Sequence, residues 1–105
     1  MRAFVLVDGD IMYLVIFTAE LAELDDKYFV ISKQLRRLAF DKYACLAFQA
    51  VNEGRVEVTT SNWSSLEDIQ RWKQDPLHQR AQQLATKWYK SWNVTITQVI
   101  KEYQG

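Results

Sequence analysis

Residues 11–21 constrain the fold of this chain more than any other segment. They read as a β-strand in which Tyr13, Val15, Phe17 and Ala19 point one way and Leu14, Ile16 and Thr18 the other, because side chains alternate across a strand. Both sets are mainly apolar, so both faces of the strand require cover. The remainder of the chain must therefore supply two covering layers, or a second molecule must supply one of them.

The segments that follow supply one layer. Asp25 or Asp26 can cap a helix of about four turns. Its stripe is Tyr28, Ile31, Leu35, Leu38 and Ala39, with Lys33, Gln34, Arg36 and Arg37 elsewhere and Phe29, Val30 and Phe40 off the stripe. Residues 43–51 and 55–62 read as strands joined by a turn at Asn52-Glu53-Gly54, which makes them an antiparallel hairpin. In the second of them Val56 and Val58 face one side, while Glu57, Thr59 and Ser61 face the other. Ser64-x-x-Glu67 reads as a capping box for a short helix over 66–74, with Leu66, Ile69 and Trp72 on its apolar side. Asp75-Pro76 ends that helix and starts another, running to about Tyr89 or Lys90 with the stripe Leu77, Ala81, Leu84 and Trp88. Residues 93–103, rich in Val, Ile and Thr, complete the set as a last strand. Residues 3–7, followed by Asp8-Gly9, suit an extra edge strand or an N-terminal arm.

The order strand, helix, strand, strand, helix pair, strand is the split βαβ pattern of ferredoxin-like α+β folds. It predicts a four-stranded antiparallel sheet with every helix on one face, in one domain spanning residues 1–105. Half of residues 14–17, Cys45 or Leu46, and Val56 or Glu57 lie on the other face. No segment remains to cover it, so the expected solution is a homodimer packed sheet to sheet.

Composition narrows the function classes. Thirteen basic and 13 acidic residues give a net charge of zero, whereas nucleic-acid binding draws on a basic excess. No apolar run approaches the ~20 residues that span a bilayer. Asp8 and Asp10 interrupt the N-terminal apolar stretch, and no cleavage signal follows. The one cysteine, Cys45, has no internal partner and reads as an inert, buried strand residue. A cytoplasmic protein binding neither nucleic acid nor membrane is expected. One His and one Cys do not make a closed Cys/His metal site, and three glycines make no phosphate loop. No metal site and no permanently held cofactor are expected.

What stands out is the aromatic content of the second half: Trp63, Trp72, Trp88, Tyr89 and Trp92. On a helical wheel His78, Gln82, Ala85 and Tyr89 border the Leu77–Trp88 stripe. Folding the short helix back brings Trp63, Trp72, His78 and Tyr89 toward one pocket between helices and sheet. There His78 serves as general acid/base or orienting donor, since its intrinsic pKa is near neutral. The competing readings make His78 a boundary residue and the tryptophans core.

The segment Ser61-Asn62-Trp63-Ser64-Ser65-Leu66-Glu67-Asp68-Ile69-Gln70-Arg71-Trp72-Lys73, with Asp75-Pro76-Leu77-His78 and Lys87-Trp88-Tyr89-Lys90-Ser91-Trp92-Asn93-Val94, resembles the antibiotic biosynthesis monooxygenase family. Leu14-Val15-Ile16-Phe17-Thr18 is similar to that family's opening strand, and the resemblance omits only the first dozen residues. It implies a dimeric α+β barrel with two sheets face to face. It also implies a helix–sheet pocket in which Trp63, Trp72, His78 and Tyr89 occupy recurrent positions. Family members of known activity include cofactor-independent oxygenases of polycyclic phenols, in which the substrate's own carbanion reacts with oxygen. Haem-degrading enzymes share the fold and use an Asn on the first strand, where this chain reads Phe17-Thr18; the resemblance to them is the weaker one. The expected function is thus a cofactor-independent monooxygenase of an aromatic or polycyclic small molecule. His78 would be its catalytic group, and Trp63, Trp72, Gln82, Trp88 and Tyr89 its substrate contacts. The alternative is a non-catalytic small-molecule-binding or structural dimeric domain.

Overall fold

A computed structural model describes residues 11–105. The proposed edge strand or arm over residues 1–10 lies outside the described residues. The elements run β1 (Tyr13–Leu21), α1 (Asp26–Tyr43), β2 (Ala47–Glu53), β3 (Val56–Trp63), α2 (Leu66–Lys73), α3 (Pro76–Trp88) and β4 (Tyr89–Gln98). The strands form one four-stranded sheet in the order β2-β3-β1-β4, antiparallel throughout. The split βαβ order gives this topology, with β1 and β3 central. No described helix is long and apolar enough to cross a membrane.

Each helix starts where a short acceptor side chain is available. Asp25 caps α1, accepting from the Tyr28 N–H at 3.0 Å. Ser65, one residue beyond the expected Ser64, caps α2 by accepting from the Asp68 N–H at 3.1 Å. Asp75 caps α3, with Pro76 in the first turn. Boundaries differ from the sequence reading in four places. The first helix continues through Tyr43 and ends at Ala44, which takes the left-handed conformation (φ 60°) and donates its N–H to the Ala39 carbonyl. Cys45 is buried but sits in the following link rather than in a strand. The hairpin turn is Gly54-Arg55, closed by the pair Glu53–Val56. Gly54 at φ 59° takes the first central position, which a type II′ turn reserves for glycine. The last strand begins at Tyr89 rather than Asn93 and ends at Gln98, leaving Ile100 and Tyr103 exposed.

Strand register sorts the sheet into two faces. Val15, Phe17 and Ala19 of β1 face the helices together with Glu57, Thr59 and Ser61 of β3. The opposite face carries Leu14, Ile16 and Thr18 of β1, Val56, Val58 and Thr60 of β3, and Ala47, Gln49 and Val51 of β2. The third strand is therefore inverted relative to simple patterning: its valines face away from the helices and its polar set lies beneath them. Val51 and Val56 are 53% and 46% exposed. Leu66, expected on the buried side of α2, is likewise exposed.

Two apolar clusters fill the helix–sheet space. One contains Val15, Ala39, Tyr43, Cys45, Trp63, Ile69 and Trp72; the other contains Tyr28, Ile31 and Trp88. Leu35 packs against both.

Candidate functional site

At the first cluster, Trp63 closes β3 and is wholly buried, its Nε1 donating to the Ser61 hydroxyl at 2.8 Å. The Trp72 ring lies 5.3 Å from that of Trp63 and 6.2 Å from that of Phe48, and its Nε1 donates to the Leu35 carbonyl at 3.1 Å. His78 stands edge-on to Trp72, ring centroids 4.6 Å apart. Asp75 fixes this arrangement: its Oδ1 accepts from the Leu77 N–H at 2.8 Å and its Oδ2 from the Tyr43 hydroxyl at 2.6 Å. Tyr43 ends α1, so this bond ties the α2–α3 junction to α1, next to the first turn of α3, whose His78 lies against Trp72. The His78 ring is half-buried, and its Nδ1 is enclosed with no hydrogen-bond partner among the described residues. Burial holds the imidazole below its ordinary pKa and Lys73 adds to the effect, while the residue's own backbone and the Asp75 charge oppose it. Burial thus favours the neutral form of the ring.

Trp88 and Tyr89 lie in the second cluster. Trp88 is buried, its Nε1 donating to Asp25 Oδ1 at 3.1 Å, and Lys87 pairs with Asp25 Oδ2 at 3.0 Å. Tyr89 packs its ring against Phe17 (5.4 Å) and donates its hydroxyl to Glu57 Oε2 at 3.1 Å. The other carboxylate oxygen, Oε1, accepts from the Tyr28 hydroxyl. Burial, and then the carboxylate beside them, push both phenols well above their ordinary pKa, so they remain donors at any physiological pH. Of the residues expected around one pocket, Trp63, Trp72 and His78 stand together, and Tyr89 stands apart with Trp88. Gln82 is exposed on α3.

Between the clusters a cross-strand row is less completely covered. Ala50, Thr59, Phe17 and Val94 are register partners across all four strands on the helix face. Phe17 and Thr59 stay half-buried although they sit on the two central strands, and Ala50 and Val94 are exposed. The helices cover the row on either side of this one, with Val15 and Ser61 buried on one flank and Ala19 and Glu57 on the other.

Sequence reasoning missed Glu57 and the hydroxyl of Tyr28. The signal was an acidic residue at the centre of a strand, between two valines. It would have stood out only once the valine side was assigned to the open face. Among the described residues no group of three His, Cys, Asp or Glu side chains is placed to hold a metal ion.

No family model matches the chain. It is 31% identical over 93 residues to the uncharacterized protein YqjZ of Bacillus subtilis, covering 86% of this chain and 81% of that protein. Among solved structures it superposes on SnoaB, a cofactor-independent oxygenase from Streptomyces nogalater, with a TM-score of 0.70 at 7% identity, covering 90% of this chain and 97% of that one. It also superposes on a protein of Nitrosomonas europaea provisionally assigned as an antibiotic biosynthesis monooxygenase, with a TM-score of 0.61 at 14% identity and 85% and 90% coverage. At these identities the superpositions speak to fold, and the closer likeness to YqjZ speaks to descent. The chain belongs to the family of YqjZ, and its fold is the ferredoxin-like fold of the antibiotic biosynthesis monooxygenases.

Proposed function

We propose that the protein is a cofactor-independent oxygenase of an aromatic or polycyclic small molecule, working as a two-fold dimer, with His78 as proton acceptor and Trp72 as the wall against it. The observation that carries this reading is the enclosed, unpartnered Nδ1 of His78. Leaving a buried ring nitrogen without a partner costs about 1–3 kcal/mol, and such a group calls for an explanation such as a catalytic role. A neutral imidazole beside an aromatic wall suits removal of a proton from a carbon flanked by a ring ketone. The resulting carbanion, a resonance form of a phenolate, is electron-rich enough to reduce dioxygen itself. One oxygen atom becomes the new ring carbonyl and the other leaves as water with the two hydrogens of the original methylene.

The dimer is supported by the open sheet face. Leu14, Ile16, Val51, Val56 and Val58 share it, and a row of aliphatic side chains on a sheet seeks a second sheet about 10 Å away. The fold shared with SnoaB supports the oxygenase class.

Oxygen uptake with anthrone as substrate tests the proposal. The wild type should exceed the protein-free rate, and His78→Ala should lose about a hundredfold or more of that excess, the usual yield of a positioned base. Equal rates for the two proteins would remove His78 from the chemistry. A second reading, binding without turnover, is favoured by Trp63 and Trp88, both buried as core rather than as pocket walls. It predicts retention of anthrone with no oxygen consumed.

A further inference from the structure

Glu57 is the polar group that the fold accommodates least easily. It is 8% exposed, on a central strand beneath the helices, where its register partner Ala19 is apolar and buried. A carboxylate in such surroundings is costly unless its oxygens are satisfied. Two tyrosines from two different elements converge on it, Tyr28 of α1 on Oε1 and Tyr89 of β4 on Oε2. Among the described residues no Lys, Arg or His pairs with it. An apolar residue at position 57 with phenylalanines at 28 and 89 would pack the same space without that cost. The core thus keeps acceptor capacity at a position where an apolar side chain would serve packing equally well.

The surroundings define the ligand. A carboxylate has about four lone-pair positions, and the tyrosines occupy two of them. Both phenols are held as donors, so what the cluster offers a newcomer is acceptor capacity. Thr59, two residues along the same face of β3, belongs to the less covered row, and the Tyr89 ring packs on Phe17 of that row. The acceptor therefore stands at the end of an apolar shelf made by Phe17, Thr59 and Val94. We propose that the Tyr28–Glu57–Tyr89 cluster anchors the hydroxyl of a flat aromatic molecule, a phenol or naphthol, lying along this shelf. Glu57 accepts the ligand's O–H and acts as a positioning residue; it takes no part in electron transfer. The anchor rests on the small-molecule reading of the helix–sheet space and is independent of the oxygen chemistry and of His78.

Equilibrium dialysis of the whole protein against 1-naphthol and 1-methoxynaphthalene tests it, since the two share a ring system and only the first donates. The wild type should bind 1-naphthol about tenfold more tightly or better, the return of one hydrogen bond to a charged acceptor. Glu57→Gln should lose most of that preference while leaving 1-methoxynaphthalene unchanged. Equal binding of the two probes by the wild type, or an undiminished preference in Glu57→Gln, overturns the anchor. If Glu57→Gln does not fold, the wild-type ratio still decides. A naphthol preference without anthrone oxidation would leave the anchor standing and remove the oxygenase. Oxidation with no preference would do the reverse.

Discussion

Replacing Glu57 by leucine asks whether the buried cluster serves stability or something else. Leucine fills most of the glutamate's volume, so the main loss is of hydrogen-bond acceptors for two tyrosines. Tyr28 is 6% exposed, with its ring edge-on to Trp88 at 5.4 Å, and its hydroxyl has little access to water. An orphaned buried donor costs about 1–3 kcal/mol. Tyr89 is half-buried and can recover part of its loss by turning toward solvent. Glu57→Leu should therefore destabilise by about 2–4 kcal/mol, lowering Tm by ~4–8 °C per kcal/mol for a domain of this size. Adding Tyr28→Phe and Tyr89→Phe removes both orphans. Well-packed apolar replacements of a buried charged group are neutral or stabilising by about 1–4 kcal/mol, so the triple variant should equal or exceed the wild type. Urea melts of the single, double and triple variants form a cycle whose coupling should reach about 2 kcal/mol, as expected of residues in direct contact. A single variant within about 0.5 kcal/mol of wild type would mean that the hydroxyls find other partners. A triple variant less stable than Glu57→Leu would make the cluster a structural device, against the reasoning given for a ligand anchor.

Three other outcomes follow from the same geometry. Trp63→Ala, at a site with no exposed surface, should cost about 3–5 kcal/mol in urea melts; a small loss would mean the ring borders open space. Val58→Glu places a charge on the open sheet face and should shift sedimentation from dimer to folded monomer, whereas an unchanged profile would put the self-association surface elsewhere. The folded-state pKa of His78 is depressed below its unfolded value, so its contribution is present above the unfolded value of about 6.5 and is lost as pH falls below it. Melts between pH 7.5 and 5.5 should show wild type losing more stability than His78→Gln, and parallel losses would contradict the buried neutral imidazole.

The helices were legible because their signals are local. Asp25, Ser65 and Asp75-Pro76 sit at or beside the positions where capping chemistry asks for them, and the stripes Tyr28–Ala39 and Leu77–Trp88 kept their period. The end of α1 was not legible. Ala44 adopts a left-handed cap with no glycine to announce it, so Tyr43 read as the start of a strand. Folding the short helix back brings Trp72 and His78 together, as the order of the two helices suggests. Tyr89 was misplaced because it terminates a helix and opens a strand, and the strand alternation, absent from a helical wheel, turns it toward Glu57 and away from His78.

The third strand links the fold to the candidate function. Its alternation of valines with Glu57, Thr59 and Ser61 is plain in the sequence, but local patterning does not say which side meets the helices. Register decides it: Ser61 and Glu57 pair with Val15 and Ala19, and those two point into the helix layer. The strand therefore carries two separate debts. Its valines face a side that nothing in the described chain covers, and its glutamate lies beneath a layer that offers it hydroxyls but no cation. A monomer could not cover the valines by refolding locally, since a one-residue slip would bury them only by breaking the register with β1 and β2. As proposed, a second copy would cover the valines and a donor-bearing small molecule would use the carboxylate's remaining acceptor capacity. Because the two faces belong to one strand, Val58→Glu and Glu57→Gln should separate them, the first changing association and the second changing naphthol selectivity.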